Sequence, residues 1–185
     1  MIVFVDFEAS SLGKRGFPVE VGWAAEDGTE EAHLIRPAPG WEEWSEEAER
    51  IHGLSRERLQ REGTPHDVVA RRMLAVLDGH QLYASAPSWD GQWLSRLLRA
   101  AGLPRHALRL RDTEEAQERA ALEVMEQAGL PAAVRKARLA EILEAARGTA
   151  EGAGPPAHRA LEDARAELRL WRAVRERAGA ALRGA

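Results

Sequence analysis

Asp6 and Glu8 interrupt an apolar run two residues apart, in the stretch Ile2-Val3-Phe4-Val5-Asp6-Phe7-Glu8. The run is rich in β-branched residues and reads as a buried central strand. Residues two apart on a strand point to the same face, so both carboxylates project side by side. Unpaired buried charge is costly, and a bound cation is the usual way to offset it. Two hard oxygen ligands suit Mg²⁺ or Mn²⁺. The alternative is a strand end that frays into solvent. Two further pieces carry comparable chemistry. Asp90 falls near the start of a predicted helix. His158 precedes Asp163 by five residues, where a Gly/Pro-rich stretch, Gly152 to Pro156, gives way to the last predicted helix. Two metal ions about 3.5–4 Å apart can stabilise the attacking and leaving oxygens of a phosphoryl displacement. Four carboxylates are enough to hold such a pair, and a histidine is the natural acceptor for the proton of an attacking water.

The elements that must position these groups follow from periodicity. Pro18 to Ala25 reads as a second strand, an Asp27-Gly28 turn follows, and Glu31 to Ile35 returns as a third. Ser45 and Ser55 are helix N-cap candidates, with the first helix stopping at His52-Gly53 and the second at Gly63. Thr64-Pro65 reads as a cap followed by proline in the first helical turn, ahead of an apolar face of Val68, Met73, Leu74 and Leu77. Gln81 to Ser85 reads as a strand. Trp89, Trp93, Leu94, Leu97 and Leu98 fall at helical spacing before Gly102, and Leu108 to Leu110 is a fifth short strand. Glu114 to Gln127, Ala132 to Arg147 and about His158 to Arg177 read as helices, with fraying expected after Ala178. The pattern is a mixed α/β sheet flanked by helices, in one domain over residues 1–178 with a frayed tail at 179–185.

Composition narrows the function classes. The 185 residues are 44% hydrophobic and 30% charged, which fits one ordinary globular domain. Cysteine is absent, which excludes disulfides, thiolate catalysis and cysteine-bound zinc. No apolar run approaches the roughly 20 residues needed to span a bilayer. The first strand starts almost at Met1, leaving no room for a signal peptide, so a cytoplasmic protein is expected. The net charge of −4 does not advertise a broad nucleic-acid footprint, so any such contact must be local, through a basic patch or a metal ion.

Taken together and in this order, the pieces resemble the DEDD superfamily of 3′→5′ exonucleases, in the subgroup whose last motif carries histidine. Its members include ribonuclease T, oligoribonuclease and the proofreading subunits of bacterial replicative polymerases. The resemblance spans Val3 to about Trp171. Asp6-Phe7-Glu8-Ala9-Ser10-Ser11-Leu12 looks like the first motif. Trp89-Asp90-Gly91-Gln92-Trp93-Leu94 looks like the second, with tryptophans where phenylalanine is usual, and His158 to Ala164 looks like the third. Ile51-His52-Gly53-Leu54-Ser55 resembles the segment that helps line the terminal-nucleotide pocket. The resemblance implies a ribonuclease H-like fold with a mixed five-stranded sheet. It implies that Asp6, Glu8, Asp90 and Asp163 hold two Mg²⁺ or Mn²⁺ ions and that His158 is the general base. It implies that the backbone at Ala9 and Ser10 binds the terminal sugar, that Leu12 wedges against the terminal base, and that His52 and Trp89 lie near the substrate. The expected partner is a single-stranded nucleic-acid 3′ end, and some relatives are homodimers. One departure stands out: the family often has asparagine four residues before the second-motif aspartate, and here that position is Ala86.

Several residues keep two readings. Trp41, Trp44 and Trp89 could stack bases or fill the core, whereas Trp93 and Trp171 read as core. Arg96, Arg99, Arg105, Arg109 and Arg111 either attract phosphates or form a solvated face. The expected activity is metal-dependent 3′→5′ release of nucleoside 5′-monophosphates from single-stranded DNA or RNA. The rivals are a catalytically weak or inactive binding module of the same fold, and a phosphoesterase acting on small nucleotides.

Overall fold

The computed structural model describes residues 1–150 and 158–183. Its centre is β1 (Ile2–Ala9), whose side chains alternate as the period of a strand requires. Val3, Val5 and Phe7 face one helical layer, and Phe4 faces the other. β2 (Pro18–Ala25) lies antiparallel to β1, and β3 (Glu30–Arg36) antiparallel to β2. On the other side of β1, β5 (Gln81–Ala84) and β6 (Leu110–Asp112) run parallel to it.

The sheet has six strands, in the order β4-β3-β2-β1-β5-β6, rather than the expected five. The additional strand is β4, Thr64–Pro65, which pairs with Ile35 and Arg36 at the sheet edge. These two residues were expected to begin a helix. A residue before proline is driven to extended backbone, and an edge position tolerates proline's missing N–H. The helix α3 therefore starts one residue later, at His66, and runs to Leu77 without a side-chain cap. Its buried face is Val69, Ala70, Met73 and Leu77, with Leu74 packed partly against the core; of the expected stripe only Val68 is exposed, and Val69 takes its place.

The other helix starts agree with their cap signals. The Ser45 Oγ accepts from Ala48 N–H ahead of α1 (Glu46–His52), and the Ser55 Oγ accepts from Arg58 N–H ahead of α2 (Arg56–Glu62). Gly53 closes α1 at φ 70°, a conformation that favours glycine. α4 (Pro87–Ala100) and α3 cover one sheet face, burying Trp93, Leu94, Leu97 and Met73 against Val5 and Trp23. α5 (Thr113–Gln127) and α7 (Ala160–Arg183) cover the other, where Trp171 meets Phe4 and Tyr83. α6 (Ala132–Ala150) packs outside these two. Asp112 caps α5, its carboxylate accepting from the Glu114 N–H, and the short strand before it is Leu110–Asp112 rather than Leu108–Leu110. α7 extends to Arg183, past the fraying expected after Ala178. The Gly152–Pro156 loop lies outside the described residues. No helix among the described residues is long and apolar enough to cross a membrane.

Candidate active site

The strand period places Asp6 and Glu8 with Phe4 on the face of β1 that meets α7. The antiparallel register sets Gly22 opposite Asp6 and Glu20 opposite Glu8. Gly22 is what lets α7 approach. A Cβ there would stand 2.3 Å from the Leu161 nitrogen, closer than any side chain allows. The start of α7 therefore lies directly on β2, and Asp163, less than one turn in, reaches β1.

Glu20 fixes this contact. It is 2% exposed, in a strand otherwise filled by apolar and small residues. Its carboxylate accepts from Arg159 Nη2 at 2.7 Å and Nε at 3.0 Å, and from the Ala160 N–H at 3.1 Å. It thus pairs with the residue before α7 and accepts from the helix's first N–H. A lone Glu within the run Pro-Val-Glu-Val-Gly-Trp was the only sequence signal of this role.

The result is convergence. One ligand oxygen from each of Asp6, Glu8 and Asp163 lies within 4.8 Å of the others. Asp90 comes from the opposite helical layer. β5 pairs with β1 only as far as Phe4, so the later part of β1 has an open edge there. The first turn of α4 enters this gap, and backbone N–H groups of Ala86 and Phe7 are directed at the Asp90 carboxylate.

The electrostatics favour a cation. Burial, then Asp90, Glu8 and Asp163, hold the Asp6 carboxyl well above the usual range. Glu8 is pushed up to about 7 by burial, Asp163 and Glu20, against the opposing charge of Arg159. Burial pushes Asp90 up to about 7, and the surrounding backbone N–H groups work against it. Asp6 and Glu8 resist ionisation through burial first and then through the neighbouring carboxylates. Asp90 is 4% exposed, and its Oδ2 is buried with no hydrogen-bond partner among the described residues. A buried carboxylate oxygen without a partner among the described residues, on a side chain whose charge acts on Asp6, fits a hard divalent ion. A fifth acid, Glu167, sits one turn beyond Asp163 on α7. Burial raises its pKa, Thr113 opposes, and its Oε2 also has no partner among the described residues. The i,i+4 spacing from Asp163 was the signal for it.

The remaining expected residues lie around this centre. His158 is exposed, has φ 51° and stands outside the helix, one residue before the Arg159 anchor. Ser10 is fully buried, and its groups serve the loop. Its N–H donates to the Phe17 carbonyl, its carbonyl accepts from Ser45 N–H, and its Oγ accepts from Phe17 N–H. Ala9 sits at a register shift in β1. Leu12 projects from the loop, 70% exposed. His52 is buried, its Nδ1 accepting from Leu54 N–H at 3.0 Å. Nε2 is buried without a partner among the described residues, and burial pushes the ring's pKa down, with the Ala9 backbone opposing. Trp89 is 42% exposed and stacks on the buried Trp93, with ring centroids 6.0 Å apart. Trp41 and Trp44 pack on Phe17, so their outer faces alone remain for any ligand.

The architecture is a ribonuclease H-like α/β fold with an acidic cluster where α7 and α4 meet the central strand. The solved structures it resembles include exonuclease I proteins. The zinc-bound complex of E. coli exonuclease I with single-stranded DNA matches 95% of this chain with a TM-score of 0.66 at 15% identity. A moderately thermophilic exonuclease I from Methylocaldum szegediense matches 95% with a TM-score of 0.68 at 18% identity. A product-bound exonuclease I matches 65% with a TM-score of 0.53 at 14% identity. The chain spans 40%, 40% and 32% of those proteins respectively. At these identities the likeness is one of fold. No protein-family model matches the sequence, and no curated protein does.

Proposed function

We propose that this chain is a metal-dependent 3′→5′ exonuclease that releases nucleoside 5′-monophosphates from single-stranded DNA or RNA ends. The observation that carries the reading is the convergence of Asp6, Glu8 and Asp163, with the unpartnered Asp90 Oδ2 approaching from the other layer. The likeness in fold to exonuclease I supports it. Asp6, Glu8, Asp90 and Asp163 would hold two Mg²⁺ or Mn²⁺ ions. Such ions supply charge stabilisation to the attacking and leaving oxygens of a phosphodiester.

The chain's own residues do the rest. His158 takes the proton of the attacking water at a ring nitrogen. Its exposed position outside α7 leaves it free to reach the reacting phosphate, and the Arg159–Glu20 pair anchors the next residue. The bulged backbone at Ala9 faces the terminal sugar, with Ser10 holding the loop's shape from beneath. Leu12 offers an apolar surface to the terminal base. Buried His52 supports Ala9 from behind, and Trp89 flanks Asp90 on the open side.

The test is digestion of end-labelled single-stranded DNA and RNA, with Mn²⁺ or with chelator. Mononucleotides should appear from the first turnover, a 3′-phosphate should block and a 5′-phosphate should not. Asp6→Ala should lose nearly all activity. Equal hydrolysis of mononucleotide esters and oligonucleotides would favour a small-nucleotide phosphoesterase, and no hydrolysis of either would favour a binding module.

A further inference from the structure

Asp90 is followed by 21 residues without an acid, Gly91 to Arg111, which contain five arginines. This segment carries +5, so the rest of the chain sums to −9 within the total of −4. α4 divides its residues by face. Trp93, Leu94, Leu97 and Leu98 are buried, while Ser88, Gln92, Ser95, Arg96 and Arg99 follow helical spacing on the outer side. That outer stripe is about 16 Å long, at about 1.5 Å per residue, and begins beside Asp90.

Two grooves flank the stripe and share Gln92 and Ser95 as lining. One, about 610 Å³, is also lined by Lys14, Trp41, Arg96 and Arg99. The other, about 470 Å³, is also lined by Arg105, His106 and Arg109. Neither has an acidic lining residue. Arg96 donates to the carbonyls of Lys14 and Arg15, which ties the loop after Glu8 to this face. Among the described residues, Lys14, Arg96, Arg99, Arg105 and Arg109 have no carboxylate at ion-pair distance. Arginines just beyond the stripe are neutralised instead: Arg15 by Glu43 and Arg111 by Glu115. The sequence left the basic run between two readings. The structure removes Arg111 from it, adds Lys14, and leaves five uncompensated cations around a half-buried tryptophan.

We infer that this face of α4 is a track for the phosphates of the nucleotides upstream of the 3′ end, binding a single-stranded polynucleotide. Unpaired cations track the backbone, and Trp41 with exposed Trp89 supplies surfaces on which bases stack. The inference rests on the exonuclease reading only for the direction of the strand, since its 3′ end would lie at Asp6 and Glu8.

Binding of fluorescent dT12 and rU12 is measured by anisotropy in chelator, where no hydrolysis occurs, from 50 to 200 mM NaCl. Four to five neutralised phosphates give a log–log salt slope of about −3 to −3.5, or about 60- to 130-fold weaker binding across that range. R99Q/R105Q/R109Q should reduce the slope by about 2 and raise Kd at least tenfold at 50 mM, and R99Q or R109Q alone by about 0.7 in slope. R58Q/R61Q/R71Q, which loses the same charge elsewhere, should leave the slope in place. An unmoved slope in the stripe variants, an equal loss in the control, or equal binding of polyglutamate would overturn the inference. Equal slopes for dT12 and rU12 identify phosphate as the shared chemistry, and a slope in only one identifies which strand the track takes. Nucleotide release from dT12 in Mn²⁺ is scored separately. Release with an unmoved slope refutes the track and keeps the exonuclease, and the reverse result keeps the track and refutes the exonuclease.

Discussion

The raised carboxyls of Glu8 and Asp90 make stability without metal fall as pH rises. Glu8 is raised from 4.5 to about 7 and Asp90 from 3.8 to about 7. A raised carboxylate means that the native state binds more protons than the unfolded chain between the two values. Stability is then fullest below the unfolded pKa and is lost as pH climbs through about 7. One unit is worth about 1.4 kcal/mol and each group spans about two units between pH 5 and 8; water reaching the partly exposed Glu8 reduces the sum, so a loss of about 3 kcal/mol is the expected scale. For a chain of this length that is about 6–12 °C in Tm. Buried His52 works the other way, because its lowered pKa costs stability as pH falls below about 6.5. Asp90→Asn separates the two. In chelator the variant should melt higher than wild type, by a margin that grows by several degrees between pH 5 and pH 8. Mn²⁺ at a fixed concentration 100 times the wild-type Kd at pH 8 should stabilise wild type by about 2.7 kcal/mol there, with a smaller shift at pH 5 and a smaller one in Asp90→Asn. Differential scanning calorimetry with and without chelator measures all of these. Identical melting of both proteins at pH 8, or a metal shift independent of pH, would refute the charge-cluster argument.

Other perturbations reach different parts of the site. His158→Ala should lower turnover about 10²–10⁴-fold, read from single-turnover kinetics, while leaving the Mn²⁺-induced Tm shift unchanged. Gly22→Ala should push the start of α7 off β2, lowering Tm by several degrees and shrinking the metal-induced shift, because its Cβ would meet the Leu161 backbone. Glu20→Gln should destabilise by about 1–3 kcal/mol in denaturant unfolding, since it weakens a buried pair whose arginine is half exposed. Leu12→Ala should raise KM for oligonucleotides more than it lowers kcat, with the metal shift intact.

Local periodicity determined a good deal here. The alternation of β1 put Asp6 and Glu8 on one face, and the serine caps and Gly53 set the bounds of α1 and α2, because each depends only on backbone within a few residues. The apolar spacing of α4 likewise marked Trp93 as core. Asp90 and the His158–Asp163 pair were legible as motifs, but the approach of Asp163 and Asp90 to Asp6 was not a property of any segment. It depends on β5 stopping short of Asp6, on the Asp6–Gly22 register and on the Arg159–Glu20 contact. These are long-range packing choices that leave weak local marks: a glycine and a glutamate in a strand. The edge pairing of Thr64–Pro65 and the burial of Val69 in place of Val68 were decided the same way, by which neighbour each residue met. The basic run shows the division most plainly. Its charge is written in the sequence, but which arginines remain unpaired is settled only where the tertiary structure places the carboxylates, beside Arg111 and away from Arg99 and Arg109.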